Sequence, residues 1–449
     1  MLRLLLLVDI ILFGAAFLLA SVSSFSEIFE IKIITNTVLF VFIMQLSFLG
    51  LGLYKSKIRE KLWEILRRLL IASAISYILL TIFGQLTAQP YLNHDFILTA
   101  CFLTFIFTAA FRFLLLKFNI LGFAKRNILV LGSGQRALVI ETRMRREVDR
   151  EGYNLIGFVP MGGDINNEIA EQHIVKLATS LVDFVLQNQI HEIVVATDER
   201  RGTLPIDELF ACRIRGIAVT EILDFIENET GQIAVNLIYP SWVIYSQGFT
   251  SSNDLKNTFE RLFNSCLAGV LFILTWPFML LAALAIKIED GIYAPVLYWQ
   301  ERIGLNGKVF KIVKFRSMSL DAEINGAKWA AKNDVRVTKV GRIIRKYRID
   351  ELPQIYNVLT ADMGFVGPRP ERPEFVKRLK INIPYYAARH TVKPGLTGWA
   401  QLKYAYGATE EDAMEKLKYD LYYIKHRSFM LDLLILIQTT EVVLFGKGR

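Results

Sequence analysis

The chain has 449 residues, more than one ordinary domain needs, and 53% of them are hydrophobic, which is high for a soluble enzyme. A mean hydropathy of +0.35 favours membrane insertion, and a net charge of +9 suits an anionic lipid surface or an anionic substrate. No basic stripe is interleaved with aromatic residues, so nucleic acid is not a predicted partner. Cys101, Cys212 and Cys266 lack the paired spacing of a disulfide framework or a thiolate metal site.

Four apolar runs occupy the first 120 residues, and each is long enough to cross a hydrocarbon core of ~30 Å. The runs extend over Leu4–Ala20, Ile33–Leu53, Leu69–Leu86 and Phe96–Leu116. They predict a four-helix transmembrane bundle over residues 1–120. The alternative for the first run is a cleaved signal peptide, although Ser21-Val22-Ser23-Ser24-Phe25 is a poor cleavage context.

The distribution of basic residues predicts the orientation of this bundle. Lysine and arginine are concentrated between the second and third runs and at or after the end of the fourth, at Lys55, Lys57, Arg59, Lys61, Arg67, Arg68, Arg112, Lys117, Lys125 and Arg126. Such residues favour the cytoplasmic side, so both ends of the bundle are expected to face the cytoplasm. No polar residues in the spans pair as a transport pathway would require, and we interpret the bundle as an anchor.

A Rossmann-like α/β domain is predicted over residues 121–248, because short β-rich runs alternate with helical ones. The strands are expected at Asn127–Leu131, Tyr153–Val159, Glu192–Ala196 and Ile217–Thr220. After the first strand, Gly132 and Gly134 match the turn whose backbone amides bind a nucleotide phosphate, and a helix through Arg146 follows. The ribose-binding carboxylate expected about 20 residues later has no clear counterpart. A nucleotide site and a degenerate, structural module are both compatible with this pattern.

Residues 249–290 are predicted to form an amphipathic linker and a membrane helix. The apolar stretch Leu262–Ile286 is long enough to span. Crossing would place the lysine- and arginine-rich remainder of the chain outside, against the positive-inside tendency. Pro277 lies in the middle of the stretch and would kink it. We therefore predict a re-entrant helix that bends at Trp276-Pro277, with a kinked fifth span as the alternative.

Residues 291–449 are predicted to form a monotopic α/β domain that stays at the membrane surface. The runs Val296–Arg302 and Val309–Arg316 favour two strands of a hairpin turned at Asn306-Gly307. The apolar stretch Phe429–Ile437 suits a helix lying in the plane of the interface, or a plain core helix.

Two adjacent carboxylates, Asp350 and Glu351, stand among basic residues in this last domain. Pro353 is tolerated in a first helical turn, so a helix starting at Asp350 and running through Val358 is expected. Asp350 could simply cap that helix. However, adjacent acids repel one another unless they share a cation, and Arg369 stands on a rigid Gly-Pro-Arg-Pro turn nearby in sequence. The pattern favours metal-assisted phosphoryl transfer.

Several motifs in the last domain resemble the bacterial sugar transferase family, the polyprenyl-phosphate sugar-1-phosphate transferases, from Asn257 to Gly448. The motifs are Gln300-Glu301-Arg302-Ile303-Gly304, Lys314-Phe315-Arg316-Ser317-Met318, Asp350-Glu351-Leu352-Pro353-Gln354, Gly367-Pro368-Arg369-Pro370 and Val392-Lys393-Pro394-Gly395-Leu396-Thr397-Gly398-Trp399-Ala400-Gln401. The amino-terminal bundle and Rossmann-like module resemble the large exopolysaccharide-initiating members. The segments Lys328–Asp334 and Glu371–Pro373 are similar to the subgroup found with exosortase systems.

The resemblance implies a two-step reaction on a covalent intermediate. Asp350 would attack the β-phosphate of a nucleoside diphosphate sugar, such as a uridine diphosphate hexose, and undecaprenyl phosphate would then take the phosphosugar. Glu351 would help Asp350 to coordinate or position Mg²⁺. The phosphate groups would be held by Lys314, Arg316, Arg345, Arg348 and Arg369. The family's membrane helix commonly bends at Ser-Pro, where this chain has Trp276-Pro277.

The resemblance further implies a multi-pass protein of the bacterial inner membrane whose catalytic domain faces the cytoplasm, and a homo-oligomer is compatible with it. Two rival functions are a non-catalytic membrane sensor or scaffold with a nucleotide-binding Rossmann-like domain, and an integral glycosyltransferase, which would release a nucleoside diphosphate. Asp420 and Asp432 could support the active site or lie on a helix surface. The five histidines show no ligand spacing and are not predicted to bind a metal.

Overall fold

A computed structural model describes most of the chain. The described residues are 2–21, 31–54, 62–87, 94–117, 125–143, 152–166, 168–199, 202–238, 242, 246, 248–249, 254–319, 321–322, 334–404, 407 and 409–444. The chain forms two compact units, Met1–Thr230 and Gly231–Arg449. The basic loop residues Lys55–Lys61, the predicted end of a helix at Arg146 and the Lys328–Asn333 part of a family motif lie outside the described residues.

The first unit begins with four apolar helices at the predicted places. They are α1 (Leu2–Ala20), α2 (Ile31–Gly50), α3 (Leu62–Thr87) and α4 (His94–Lys117). By length and composition, Ile65–Gln85 and His94–Leu115 could each cross a membrane. The described apolar stretches of the first two helices are shorter, so four complete spans remain a prediction.

A buried ion pair joins the first and fourth helices. The Arg112 guanidinium donates to the carboxylate of Asp9, and both side chains are almost fully buried. Charged side chains inside a membrane bundle are costly unless they are paired. The pair therefore fixes how α1 and α4 pack, and it was not foreseen when the bundle was interpreted as an apolar anchor.

A parallel sheet forms the rest of the first unit, as the alternation of strands and helices predicted. Its strands are β1 (Arg126–Leu131), β2 (Tyr153–Val159), β3 (Glu192–Val195) and β4 (Ala218–Glu221), in the order β2-β1-β3-β4. The helices are α5 (Gln135–Arg143), α6 (Leu181–Gln187), α7 (Ile206–Ile214) and α8 (Ile222–Thr230). Fully buried Leu129, Val185 and Ile193 lie in a core between the sheet and its helices. The strands consist largely of apolar residues because helices cover a parallel sheet on both faces.

The second unit starts at Gly231, although the sequence placed the end of the α/β domain near residue 248. A long helix, α9 (Asp254–Asp290), contains Pro277 and is mostly exposed and apolar between Val270 and Leu284. By length and composition it is a third helix able to cross a membrane. One face of its last three turns is buried, because Ala282 and Ile286 pack into a core of this unit, while the final residues are exposed.

The predicted hairpin follows directly. Strands β5 (Leu297–Ile303) and β6 (Val309–Phe315) pair antiparallel, and Asn306 and Gly307 both take positive φ in the turn. An Asn-Gly pair favours this turn because both residues tolerate the left-handed conformation. The hairpin is confirmed with boundaries shifted by one residue.

The remaining elements alternate short helices and strands. They are α10 (Lys339–Lys346), a 3₁₀ segment (Ile349–Gln354), α11 (Ile355–Leu359), β7 (Gly364–Val366), α12 (Pro373–Asn382), a second 3₁₀ segment (Tyr386–Thr391), β8 (Gly395–Thr397), α13 (Trp399–Lys403), α14 (Glu410–His426) and α15 (Phe429–Leu444). Strands β7 and β8 pair in parallel. In α15, Leu434 and Ile435 are buried while Phe429 and Met430 are about two-fifths exposed. The helix thus packs into the core on one side and leaves its apolar first residues partly exposed, with Phe429 against Phe259 and Phe263 of α9.

Candidate active site

The two adjacent acids lie in a tight 3₁₀ segment rather than at the start of an α-helix. The predicted α-helix from Asp350 through Val358 begins only at Ile355, and Arg348, with φ +59, separates the 3₁₀ segment from α10, which ends at Lys346. Asp350 and Glu351 are buried, with 8% and 9% of their surface exposed. Arg348 is the N-cap residue of this segment and Gln354 that of the following helix, so Asp350 occupies neither cap position. Its Oδ1 atom is buried and has no hydrogen-bond partner among the described residues.

Strand β6 is fixed beside these acids. The Asn357 side chain accepts from the amide of Val313 at 3.1 Å and donates to the carbonyl of Lys311 at 2.8 Å. The ammonium group of Lys314 therefore reaches the acids, and Nζ donates to Oε1 of Glu351 at 3.0 Å. Loss of either hydrogen bond would leave a buried polar group unpaired, so the Asn357 amide holds strand β6 in place.

Arg369 reaches the same carboxylate from the opposite side. Its Nη2 donates to Oε1 of Glu351 at 2.8 Å, and its Nη1 donates to Oε1 of Gln401 at 3.1 Å. The turn that carries it starts at Gly367, where a Cβ atom would lie 2.4 Å from the carbonyl oxygen of Lys393. Only glycine allows this close approach, and the approach brings Arg369 to the acids.

The charges around Glu351 keep it ionised. Burial opposes ionisation, but Lys314, Arg369 and Arg348 hold the pKa of Glu351 well below its ordinary value. The Arg348 guanidinium lies 4.0 Å from Oε2. Burial lowers the pKa of Lys314, and the charge of Glu351 opposes that shift. Opposite charges within 4 Å favour the charged form of each partner.

Asp350 is shifted in the other direction. Burial, and then the negative charge of Glu351, raise the pKa of Asp350 to about 6, while Lys314, Arg345 and Arg348 oppose the rise. Two neighbouring acids with opposite shifts form an asymmetric pair. At neutral pH the Asp350 carboxylate is ionised but poorly solvated, with an unpaired oxygen, which suits a nucleophile.

The structure brings together six of the seven residues predicted at this site. Asp350, Glu351 and Lys314 lie with Arg345, Arg348 and Arg369. Arg316 is the exception. Its guanidinium is bound to the carboxylate of Asp290 at 2.8 Å and to the carbonyl of Pro295 at 2.7 Å.

Trp276 and Pro277 lie in the exposed apolar middle of α9, and 52% of the Trp276 surface is exposed. Side chains from both ends of α9 contact the second unit. Glu260 pairs with Arg427 near the start of the helix, and Asp290 pairs with Arg316 at its end.

Gly132 and Gly134 belong to the first unit, and protein carboxylates already occupy the amides around them. Asp164 Oδ2 accepts from the amide of Ser133 at 2.8 Å. Asp198 accepts from the amides of Gln135 and Arg136 at 3.1 and 3.0 Å, at the start of α5. The anion site that this turn could offer to a phosphate is filled by aspartates of the same chain. This arrangement supports a structural module rather than a nucleotide site.

Several residues at the site were not predicted. Arg302 is half-buried near Glu371, Arg369, Arg372 and Glu351, and removal from water lowers its pKa. Gln401 binds Arg369 directly. Both residues belong to motifs that resemble the family, so the motifs could have identified them, whereas the spacing of charged residues could not. Asp420 is buried and lies 2.8 Å from Arg389, so the alternative that it lies on a helix surface is wrong, while its support of the site stays a prediction.

The oxygen atoms of Asp350 and Glu351 are the candidate ligands for Mg²⁺ at this site. No group of three or more potential ligands occurs among the described residues. However, Mg²⁺ is commonly held by one or two carboxylates together with substrate phosphates. The free Oδ1 of Asp350 and the Oε2 of Glu351, which has only a distant partner, fit that manner of binding.

Comparison with known proteins agrees with this geometry. The family model described as "Bacterial sugar transferase" matches residues 255–446. An Aeromonas hydrophila UDP-N-acetylgalactosamine-undecaprenyl-phosphate N-acetylgalactosaminephosphotransferase is 39% identical over 54% of this chain and 55% of the relative. The UDP-glucose:undecaprenyl-phosphate glucose-1-phosphate transferases of Escherichia coli (strain K12) and Caulobacter vibrioides are 30% and 42% identical, over 71% and 41% of this chain and 68% and 69% of the relatives.

The chain spans only about half of the Aeromonas relative, but more than two thirds of the Escherichia and Caulobacter relatives. The Escherichia match covers 325 residues and therefore extends beyond the family model into residues before 255. All three relatives are named as phosphotransferases or sugar-phosphate transferases. The chain therefore belongs to the bacterial sugar transferase family of enzymes.

Proposed function

We propose that this protein transfers a sugar 1-phosphate from a nucleoside diphosphate sugar to undecaprenyl phosphate. The donor is a uridine diphosphate hexose, and the product starts exopolysaccharide synthesis. The observation that carries the proposal is the asymmetric pair of Asp350 and Glu351 among four cations, Lys314, Arg345, Arg348 and Arg369. Such a site matches the charge of a diphosphate, and relatives in the family are named for this reaction.

In the first step, an Asp350 carboxylate oxygen attacks the β-phosphorus of the nucleotide sugar. A bond forms between that oxygen and phosphorus, and the bond from phosphorus to the bridging oxygen of the α-phosphate breaks. The nucleoside monophosphate leaves with the electron pair of that bond. The unpaired, buried Oδ1 of Asp350 supports this role, because a desolvated carboxylate without hydrogen-bond donors keeps its nucleophilicity.

In the second step, a phosphate oxygen of undecaprenyl phosphate attacks the phosphorus of the aspartyl phosphosugar. The aspartyl oxygen–phosphorus bond breaks, and Asp350 returns to its free carboxylate. Lys314 and Arg369 would stabilise charge on the transferred phosphoryl group in both steps, since each donates within 3.0 Å to Glu351, the residue that follows Asp350. Arg345 and Arg348 would bind the phosphates from the other side.

Asp350 and Glu351 would hold Mg²⁺ together with the donor diphosphate. When bound, this ion would neutralise charge on the phosphate oxygens and favour departure of the nucleoside monophosphate. Because Glu351 Oε1 already accepts from Lys314 and Arg369, its Oε2 is the oxygen left for the ion.

The membrane helix α9 suits a reaction at the headgroup plane. A straight helix of 37 residues would be about 55 Å long and would place its ends on opposite sides of a ~30 Å hydrocarbon core. Yet Glu260 and Asp290, near its two ends, both pair with arginines of one compact unit. This supports a re-entrant helix bent at Trp276-Pro277 that enters one leaflet and returns to the same face.

On this proposal the catalytic unit lies at the cytoplasmic face of the bacterial inner membrane. There a water-soluble donor and a lipid-bound acceptor can meet. The exposed apolar middle of α9 and the partly exposed Phe429 and Met430 of α15 support attachment to lipid.

The test uses full-length protein in lipid nanodiscs with Mg²⁺ and a panel of sugar nucleotides. We expect release of nucleoside monophosphate, and an Asp350-linked phosphosugar detectable by mass spectrometry when undecaprenyl phosphate is omitted. Asp350→Asn should lose both signals, whereas the exposed control Asp362→Asn should keep them. Release of nucleoside diphosphate, or full activity of Asp350→Asn, would refute the proposal.

A further inference from the structure

The Gly-Pro-Arg-Pro turn that carries Arg369 is fixed along its whole backbone. At its start, the amide of Gly367 donates to Thr397 at 2.9 Å, and the Pro368 carbonyl accepts from Gly395 at 3.1 Å. At its end, the carbonyl of Glu371 accepts from the amide of Ile303 at 3.0 Å. These bonds leave the two middle carbonyls, of Arg369 and Pro370, to be satisfied by other donors.

Two arginines supply those donors. Arg389 Nη2 donates to the carbonyl of Arg369 at 2.9 Å, and Arg302 Nη1 donates to the carbonyl of Pro370 at 3.0 Å. They come from separate elements, strand β5 and the 3₁₀ segment Tyr386–Thr391. Two successive carbonyls of one turn are thus bound by guanidinium groups on two sides.

Each arginine is itself fixed. Arg389 is 6% exposed, lies 2.8 Å from Asp420 and donates to the hydroxyl of Tyr386 at 2.6 Å. Arg302 donates to Gln300 and lies 3.7 Å from Glu371. An arginine fork can bind a carboxylate and a carbonyl at once, which a lysine cannot do in the same geometry.

We propose that Arg302 and Arg389, the latter held by Asp420, are positioning residues that fix the turn so that the Arg369 guanidinium meets Glu351. The proposal rests on the proposed function for its catalytic consequence. The Arg369 side chain is one-third exposed and touches the acids only with its tip, so a small backbone shift would separate it from Glu351. Misplacement of a catalytic group by about 1 Å can reduce a rate about 100-fold.

The first test is Asp420→Asn, which keeps the shape of the side chain and removes the charge that orients Arg389. We expect nucleoside monophosphate release to slow by about 10- to 100-fold with little change in KM for the sugar nucleotide. Arg389→Lys should give a similar loss and covers the case in which Asp420→Asn does not fold. Arg378→Lys is the matched control, because Arg378 pairs with Glu410 at 2.8 Å on the exposed face of α12.

A double-mutant cycle separates positioning from general stability. If Arg389 acts through Arg369, then Asp420→Asn combined with Arg369→Ala should be no slower than Arg369→Ala alone, within about twofold. If the rate reductions of Asp420→Asn and Arg369→Ala multiply in the double variant, the proposal is overturned. An unchanged rate in both Asp420→Asn and Arg389→Lys would also overturn it.

Hydrogen exchange tests the inference without the reaction. The Gly367 and Gly395 amides should exchange faster in Asp420→Asn than in wild type, while Arg378→Lys should leave them unchanged. If wild-type protein releases no nucleoside monophosphate, the proposed function fails but this measurement still decides the positioning role. Unchanged exchange at both glycines would reject that role even in an active enzyme.

Discussion

The guanidinium of Arg316 and the carboxylate of Asp290 lie 2.8 Å apart, and this pair connects the last residue of α9 to the strand that carries Lys314. Arg316 also donates to the carbonyl of Pro295 at 2.7 Å, so it closes the loop between α9 and β5. Because Lys314 is only two residues earlier and bonds to Glu351, the same strand end faces both the membrane helix and the acids. The pair therefore ties the carboxyl end of α9 to the strand whose Lys314 contacts Glu351.

Arg316→Ala should destabilise this junction rather than weaken donor binding. The arginine is 6% exposed, and its removal leaves the one-quarter exposed Asp290 carboxylate without its partner, which costs about 3 kcal/mol. We expect a lower unfolding midpoint in nanodiscs and a nearly normal KM for the sugar nucleotide. If Arg316 bound the diphosphate, as the sequence suggested, KM would rise many-fold while stability stayed close to wild type.

The rate of nucleoside monophosphate release should fall as the pH drops below about 6. Burial and the neighbouring Glu351 raise the pKa of Asp350 to about 6, so below that pH the nucleophile is increasingly protonated. The acid limb should appear in kcat/KM, which reports the free enzyme. A profile that is flat from pH 5 to 8 would contradict the assignment of Asp350 as the group that must be ionised.

Glu351→Gln should slow turnover by at least about 100-fold, because it removes the charge on which Lys314 and Arg369 converge. The amide can still accept one hydrogen bond, so we expect the protein to fold, with a lower thermal midpoint because Lys314 and Arg369 lose their counter-charge. Steady-state kinetics and thermal unfolding of the same preparation make the comparison. Activity within about threefold of wild type would show that Glu351 is a structural residue.

The sequence predicted the hairpin, the four sheet strands and the acid pair because each has a local signal. Alternating or continuous apolar runs mark the strands, and Asn306-Gly307 fixes a turn by its own backbone preference. The role of Arg316 could not be predicted in this way. A basic residue beside Lys314 has the same local pattern whether it faces a phosphate or Asp290, and only the tertiary path of α9 decides between them.

The buried pair of Arg389 and Asp420 likewise could not be predicted from local sequence patterns. The two residues are distant in sequence, and neither stands in a pattern that spacing could identify. The 3₁₀ segment at Asp350 also escaped prediction, because the positive φ of Arg348 comes from tertiary packing rather than from a favoured residue type. Local chemistry thus identified the acids, while the residues that hold their partners required the fold.

Gly132→Ala should destabilise the first unit more than Gly134→Ala. A Cβ atom at Gly132 would lie 2.7 Å from backbone atoms of Ala196, and its φ of +124 strains any other residue, so we expect a loss of at least about 2 kcal/mol. At Gly134 the clash is with the carboxylate of Asp198, which can rotate away at the cost of its capping bonds, about 1 kcal/mol. Chemical unfolding of both variants measures the difference.

The same experiment addresses the nucleotide site. Because Asp164 and Asp198 occupy the amides of the turn, a dinucleotide such as NAD⁺ should not raise the unfolding midpoint of the first unit in wild type or in either glycine variant. Stabilisation of wild type by NAD⁺, lost in Gly134→Ala, would instead support a working cofactor site.

Stability of the second unit should fall as the pH rises from about 4 to 7, and Asp432 should account for part of this slope. Burial, and the nearby Glu260, raise the pKa of Asp432 to about 7 from an ordinary value of 3.8, while Tyr423, Arg427 and Lys256 oppose the rise. The folded protein therefore binds a proton in this window that the unfolded chain has released, and raising the pH removes that stabilisation.

Asp432→Asn is the direct test, because the amide keeps the hydrogen bond that the Tyr423 hydroxyl donates at 2.8 Å and cannot ionise. The variant should be more stable than wild type at pH 8, by about 1 kcal/mol or more, and should show a shallower pH slope in thermal unfolding. The slope should not vanish, because Asp350 and Asp420, each with a pKa raised to about 6 by burial, titrate in the same direction. Asp362→Asn, at an exposed carboxylate, should leave the slope unchanged. An equal slope in wild type and Asp432→Asn would mean that Asp432 is already ionised in the folded protein.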